Sequence, residues 1–238
     1  MLQPFVNATV VDIKTVNPQV RRFFVNIDGE GDFAFKGGQF LTLDLPIAEQ
    51  RNKRWRSYSI ASVPGVGRTV ELIISLQPHG LGTTYLFEQV QVGSVLSVRG
   101  PQGVFVAPSQ VLPTTLLVCT GTGIAPFRSM LPQLLASGTE VHLIFGCREL
   151  QDTLYKTEME QLATENKQFF YHPIYSRSQE PQVKKGYVHA VYKELLQYKA
   201  VTDVNVLLCG WKPMIDEARS HLADWGLPKQ QLHFELYG

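Results

Sequence analysis

Residues 114–130 read TTLLVCTGTGIAPFRSM: an apolar, partly β-branched run, a glycine-rich turn at Gly121-Thr122-Gly123, then the opening of a helix. A strand that turns tightly into a helix is the repeating unit of α/β domains. The same rhythm continues downstream. After a helix over residues 125–136 come VHLIFG and a helix near 153–165, then FFYHPIYS and a helix near 188–197. VNVLLCG, a helix near 213–225 and the run LHFELY complete the series. Five strands alternating with helices imply a parallel, doubly wound sheet.

Upstream the rhythm differs. Short β-rich runs at about residues 5–14, 20–27, 39–45, 57–62, 69–76 and 95–99 are separated by turn residues, the spacing of a small barrel. One helix, residues 83–90, follows HGLG and plugs that barrel. VAPSQVLP, residues 106–113, carries two prolines at the change of rhythm and reads as the linker. The expected fold is therefore a β barrel over residues 1–108 followed by a five-stranded α/β domain over residues 113–238.

Composition limits the function. A chain of 238 residues with 44% hydrophobic and 18% charged residues is ordinary globular protein, and a net charge of +1 gives no global footprint for nucleic acid. Cys119, Cys147 and Cys209 are an odd, widely spaced set that cannot close a disulfide framework, which fits a reducing compartment. There is no CxxC or HExxH, and the six histidines make no ligand pair at helical spacing, so a protein-held zinc or iron–sulfur cluster is not expected. The opening MLQPFVNATVVD lacks a signal-peptide pattern, and no apolar run approaches 18 residues. A cytoplasmic protein outside the membrane is expected.

Two stretches carry chemistry. At the Gly121–Gly123 turn, backbone N–H groups of a helix start can hold a pyrophosphate, and glycine permits its close approach. The same spacing also serves a plain strand-to-helix turn. In RSYSIAS, residues 56–62, alternation puts Arg56 and Tyr58 on one face and Ser57 and Ser59 on the other. A phosphate clamp beside a stacking ring suits a planar phosphorylated cofactor, while an edge strand with a core tyrosine and a solvated arginine reads identically.

RSYSIAS, CTGTGIAPFRSM, LLCGWKPM and the terminal FELYG, in that order, resemble the ferredoxin–NADP⁺ reductase family, closest to its plant-type branch. KGGQF at 36–40, GPQGVF at 100–105, FGCRELQDTLY at 145–155 and YSRSQE at 175–180 extend the resemblance over essentially the whole chain. It implies FAD on the antiparallel barrel and NADP(H) on the parallel domain. Arg56 then matches the arginine on the flavin phosphates, Tyr58 the ring beside the isoalloxazine and Ser59 the hydroxyl near flavin N5. Gly82, Thr83 and Thr84 match the helix start that receives the flavin pyrophosphate, with Thr83 also placed to cap that helix. Thr120, Gly121, Thr122 and Gly123 match the pyridine-nucleotide loop, and Cys209-Gly210 the pair that meets the nicotinamide.

Glu235 and Tyr237 match the near-terminal glutamate and flavin-stacking aromatic, although Gly238 extends the chain past that tyrosine. Ser176, Arg177 and Tyr187 match the groups around the adenosine 2′-phosphate and adenine, with Arg148 and Lys185 as further basic candidates. The resemblance makes Ser59, Cys209, Glu235 and Tyr237 the catalytic set in an NADPH-dependent flavoprotein oxidoreductase serving ferredoxin or flavodoxin. Arg51, Lys53, Arg54 and Arg56, around Trp55, would steer such an acidic carrier. Free flavin or an oxygenase is the alternative acceptor. A nucleotide-binding sensor without turnover is the alternative outside enzymes.

Overall fold

The computed structural model describes residues 3–237, so Gly238 lies outside the described residues. Two compact units emerge: residues 1–106 with Ala125–Met130, and Ala107–Ile124 with Leu131–Gly238.

The first unit is an antiparallel sheet of β1 (Val6–Asn17), β2 (Val20–Ile27), β3 (Phe40–Asp44), β4 (Trp55–Ser59), β5 (Thr69–Ser75) and β6 (Val95–Gln102), in the order β4-β3-β6-β1-β2-β5. An Ile60–Leu72 bridge and the Ala61 N–H to Glu71 carbonyl bond (2.8 Å) bring the two edge strands together, so the sheet curls into a barrel. Its core holds Val10, Phe23, Val25, Leu41, Leu43 and Leu72, and helix α1 (Leu81–Glu88) inserts Leu86 among them. The helix starts two residues earlier than expected, because Gly80 rather than a threonine is its N-cap. Beneath the barrel wall, the carboxylate of Glu71, 3% exposed, takes Arg22 at 2.5 Å and Arg128 at 3.2 Å.

The second unit is a parallel sheet of β7 (Thr114–Thr120), β8 (Glu140–Cys147), β9 (Phe169–Tyr175), β10 (Val204–Trp211) and β11 (Leu232–Tyr237), ordered β11-β10-β7-β8-β9. Its helices are α3 (Lys156–Glu165), α4 (Val188–Leu196) and α5 (Lys212–Asp224), while α2 (Ile124–Ala136) gives Ala125–Met130 to the first unit and its remainder to the second. Leu116, Val118, Ile144, Val206 and Leu208 pack under α4 and α5, while Leu117, Leu143, Phe145 and Leu207, pointing the other way, are buried equally well. Strands covered on both faces explain the near-continuous apolar runs. The expected barrel and five-stranded doubly wound sheet are both present. Strand order reverses between β7 and β10, and in such sheets the ligand crevice opens at that reversal, beyond the carboxyl ends of the strands.

Candidate functional site

In the first unit, Arg56 and Tyr58 pair across from Leu43 and Leu41 and so share the inward face, as alternation requires. Arg56 Nη1 donates to the carbonyls of Lys53 (3.0 Å) and Trp55 (2.8 Å), which fixes the guanidinium beside the start of α1. There a Cβ on Gly82 would sit 2.8 Å from Arg56 Cγ, so glycine is what lets the arginine lie against the helix. The amides of the first helical turn have no carbonyl one turn earlier to bond. Arginine and helix start thus form one anion cradle, the donor set a diphosphate needs.

Thr83 is not free to join that cradle through its hydroxyl. It donates to the Gly80 carbonyl (3.1 Å) and accepts from the Gln77 N–H (3.1 Å), so it braces the entry loop as the third residue of the helix and does not cap it. The amide of Thr84 bonds the Gly80 carbonyl at 2.9 Å. Tyr58 packs against the barrel core, and burial pushes its phenol up to about 12 although Arg56 opposes the shift. The ring is therefore neutral. Ser59 is 5% exposed.

In the second unit, β7 and β10 meet where strand order reverses. A Cβ on Gly123 would lie 2.5 Å from the Cys209 carbonyl oxygen and 3.0 Å from Gly210 Cα. Gly210, at φ +132, faces Thr120 Oγ1, which accepts the Trp211 N–H at 3.4 Å. Gly121, at φ +52, has open space where a side chain would project. Thr120, Gly121, Thr122, Gly123, Cys209 and Gly210 are thus brought together as a close-packed backbone step at the strand ends, with open space over Gly121. Cys209 is fully buried and its thiol is pushed far above its usual range, first by burial and then by Glu235. It is a small neutral wall. Glu235 is its register partner on β11.

Ser176 and Arg177 follow β9, where their amides bond the carbonyls of Cys147 (3.0 Å) and Arg148 (2.9 Å). Both side chains are exposed, and Arg148 is carried beside them. Lys185 bridges to Tyr175, and the next residue but one, Tyr187, is 69% exposed at the start of α4. The expected adenosine group therefore assembles at the β8 and β9 ends of the same sheet edge. Of the basic run, Arg54 pairs with Asp44 at 2.8 Å and the Trp55 ring lies under Arg99 at 4.7 Å, leaving Arg51 and Lys53 as its exposed cations. Sequence reasoning missed Trp211, an aromatic 68% exposed directly after Gly210; its place in LLCGW was the available signal.

Residues 7–106 match the family described as oxidoreductase FAD-binding domain, and residues 117–220 the oxidoreductase NAD-binding domain. Ferredoxin–NADP reductase B of Sorangium cellulosum is 33% identical, over 99% of this chain and 98% of that protein. The anthranilate 1,2-dioxygenase electron transfer component of Acinetobacter baylyi is 29% identical over 85% of this chain, which spans 58% of that longer relative. Among solved structures, a cytochrome P450 reductase from Amycolatopsis superposes with a TM-score of 0.87 at 24% identity, covering 98% of this chain and 70% of that one. A ferredoxin NADP⁺ reductase from Neisseria gonorrhoeae with bound FAD and NADP gives 0.83 at 23%, over 98% of both chains.

Proposed function

This chain belongs to the ferredoxin–NADP⁺ reductase family of FAD- and NAD-binding oxidoreductases, and from that premise we propose that it oxidises NADPH and passes electrons to ferredoxin or flavodoxin. The observation that carries the reading is the glycine-lined step of Gly121, Gly123 and Gly210 at the strand reversal, in a chain that also holds an arginine-and-helix anion cradle. FAD, when bound, supplies the exchange between hydride and single-electron chemistry. The protein's own share is binding, distance and polarity.

We assign Arg56 and the first-turn amides of Gly82 and Thr83 to the flavin diphosphate, with Thr84, its amide held by the Gly80 carbonyl, closing that turn behind them, and Tyr58 to the flavin ring. Thr120, Thr122 and the glycines of the step would seat the pyridine nucleotide, with the neutral Cys209 and Gly210 against its nicotinamide. Ser59 would set polarity near the reacting atoms, and the Glu235 carboxylate, register partner of Cys209 on β11, would pass a proton. Tyr237 we assign to the flavin stack. Ser176, Arg177 and Tyr187 would read the adenosine end, with the Arg177 guanidinium on the 2′-phosphate. Arg51 and Lys53 would meet the acidic carrier. Three cysteines without a disulfide suit a cytoplasmic setting, and among the described residues no helix is long and apolar enough to cross a membrane.

Purified protein should be yellow, release FAD on denaturation, and reduce an artificial acceptor with NADPH. A colourless protein that cannot be reconstituted with FAD would defeat the proposal. Several relatives are electron-transfer or reductase components of oxygenases, which favours an oxygenase as the second reading of the acceptor. Charge reversal at Arg51 and Lys53 should raise KM for the true carrier and leave the artificial acceptor unaffected.

A further inference from the structure

His189 on α4 and His221 on α5, far apart in sequence, come within reach of one another and of Glu217, one turn before His221. We propose that these three side chains bind a divalent transition-metal ion, Zn²⁺ foremost, between the two helices. One ligand atom from each lies within 4.8 Å of the other two. Glu217 Oε2 is 3.3 Å from His189 Nε2, and Oε1 is 3.9 Å from His221 Nε2. Zinc–nitrogen and zinc–oxygen bonds of about 2.0–2.2 Å in a tetrahedron put ligand atoms roughly 3.4 Å apart. The first pair already meets that edge, and a small rotation of the exposed carboxylate would let one oxygen serve both imidazoles, since one ligand atom from each residue lies within 4.8 Å of the others. Two imidazoles and a carboxylate with one corner left open are a donor set suited to a borderline ion.

The second observation is the Tyr192 hydroxyl. The tyrosine is 1% exposed, and its oxygen stands 2.9 Å from His189 Nδ1 and 2.8 Å from His221 Nδ1. An oxygen between two Nδ1 atoms fixes both rings and turns both Nε2 atoms outward to the Glu217 side. Such an outer partner orients histidine ligands in metal sites. The scaffold is rigid, since α4 is anchored by Val188, Val191 and Leu196, and α5 by Ile215, Ala218 and Leu222. One group opposes the ion: Lys193 Nζ, exposed, lies 3.0 Å from His221 Nε2. A metal must displace that ammonium, so Lys193 should weaken the site it borders. The ion would tie α4 to α5 and stabilise the domain by linkage.

The test is zinc titration of the chelator-treated, FAD-loaded full chain by calorimetry, with melting followed in parallel. One zinc per chain and a raised melting temperature are expected. Tyr192→Phe should weaken binding by about 10- to 100-fold, the loss typical of removing an outer partner. His189→Ala and His221→Ala should abolish the site, Lys193→Gln should tighten it, and His172→Gln, outside the cluster, should change nothing. A cooperative zinc-free melting curve establishes that each variant is folded. Unchanged zinc affinity in folded His221→Ala, or unchanged or weaker binding in Lys193→Gln, would overturn the proposal.

Discussion

Arg177 is exposed at the end of β9, its backbone fixed to Arg148 by a 2.9 Å bond, so the guanidinium can be removed without disturbing the fold. If it holds the 2′-phosphate, Arg177→Ala should lower kcat/KM for NADPH by about 10- to 150-fold, the equivalent of a charged hydrogen bond worth about 1.5–3 kcal/mol. NADH kinetics should barely move, and an equal loss with both nucleotides would make Arg177 structural. The cysteines give a second residue-scale prediction. Burial pushes the Cys147 thiol up to about 12 and carries Cys119 and Cys209 well above the usual thiol range. Thiolate, the reactive form, is then scarce near neutral pH. A thiol reagent at about pH 8 should leave the native protein unmodified and label all three cysteines once it is denatured. Rapid labelling of native Cys209 would contradict its assignment as a neutral wall.

Elements decide where those residues stand. The turn after β7 needs glycine because a Cβ on residue 123 would lie 2.5 Å from the Cys209 carbonyl oxygen, and backbone, unlike a flexible side chain, cannot step aside. Gly123→Ala should therefore destabilise the second unit by about 1–3 kcal/mol, the usual cost of overpacking, and weaken NADPH binding. Urea unfolding would measure the first effect, and flavin content should stay normal because the FAD cradle lies in the other unit. Element ends also show where local reading stops. Helix α3 begins at Lys156, three residues later than expected, because a 3-10 turn over Leu150–Asp152 and the left-handed Tyr155 (φ 54) occupy the preceding stretch. Nothing in QDTLY marks that tyrosine for positive φ.

Acid stability belongs to the whole molecule, because it sums histidines scattered over β8, β9, β11 and α4. Burial lowers His142, His189 and His233, and lowers His172 to about 4, helped by His142 and Lys184 against Glu194. His172 Nε2 is 3.0 Å from His142 Nδ1, whose other nitrogen meets Glu140 at 2.7 Å, while Lys199 bonds that carboxylate and Phe170 stacks on the His142 ring. An unfolded histidine titrates near 6.5, so between about pH 6.5 and 4 the unfolded chain binds more protons than the folded one. The stabilising contribution is complete above that window and is lost as pH falls through it. The urea midpoint should drop steadily from about pH 7.5 to 4.5, and His172→Gln should flatten the drop. Identical slopes in both proteins would show that His172 does not carry it.

Periodicity was enough to read the barrel, the five parallel strands and the turn at Gly121–Gly123, because burial on one face or both writes itself into the order of apolar residues. The resemblance supplied roles for Arg56, Cys209 and Arg177 through ordered motifs. Local order could not show that the Thr83 hydroxyl is spent on Gly80 and Gln77, nor that Asp44 takes Arg54 out of the basic run. It could not show the His189–Tyr192–His221 cluster either. Glu217 and His221 share a helix face, but their partners stand on α4, and a search for ligand pairs along one helix passes over them. Hydrogen bonds and ligand sets of this kind depend on which elements the sheet brings side by side, and that adjacency is fixed by packing across the whole domain.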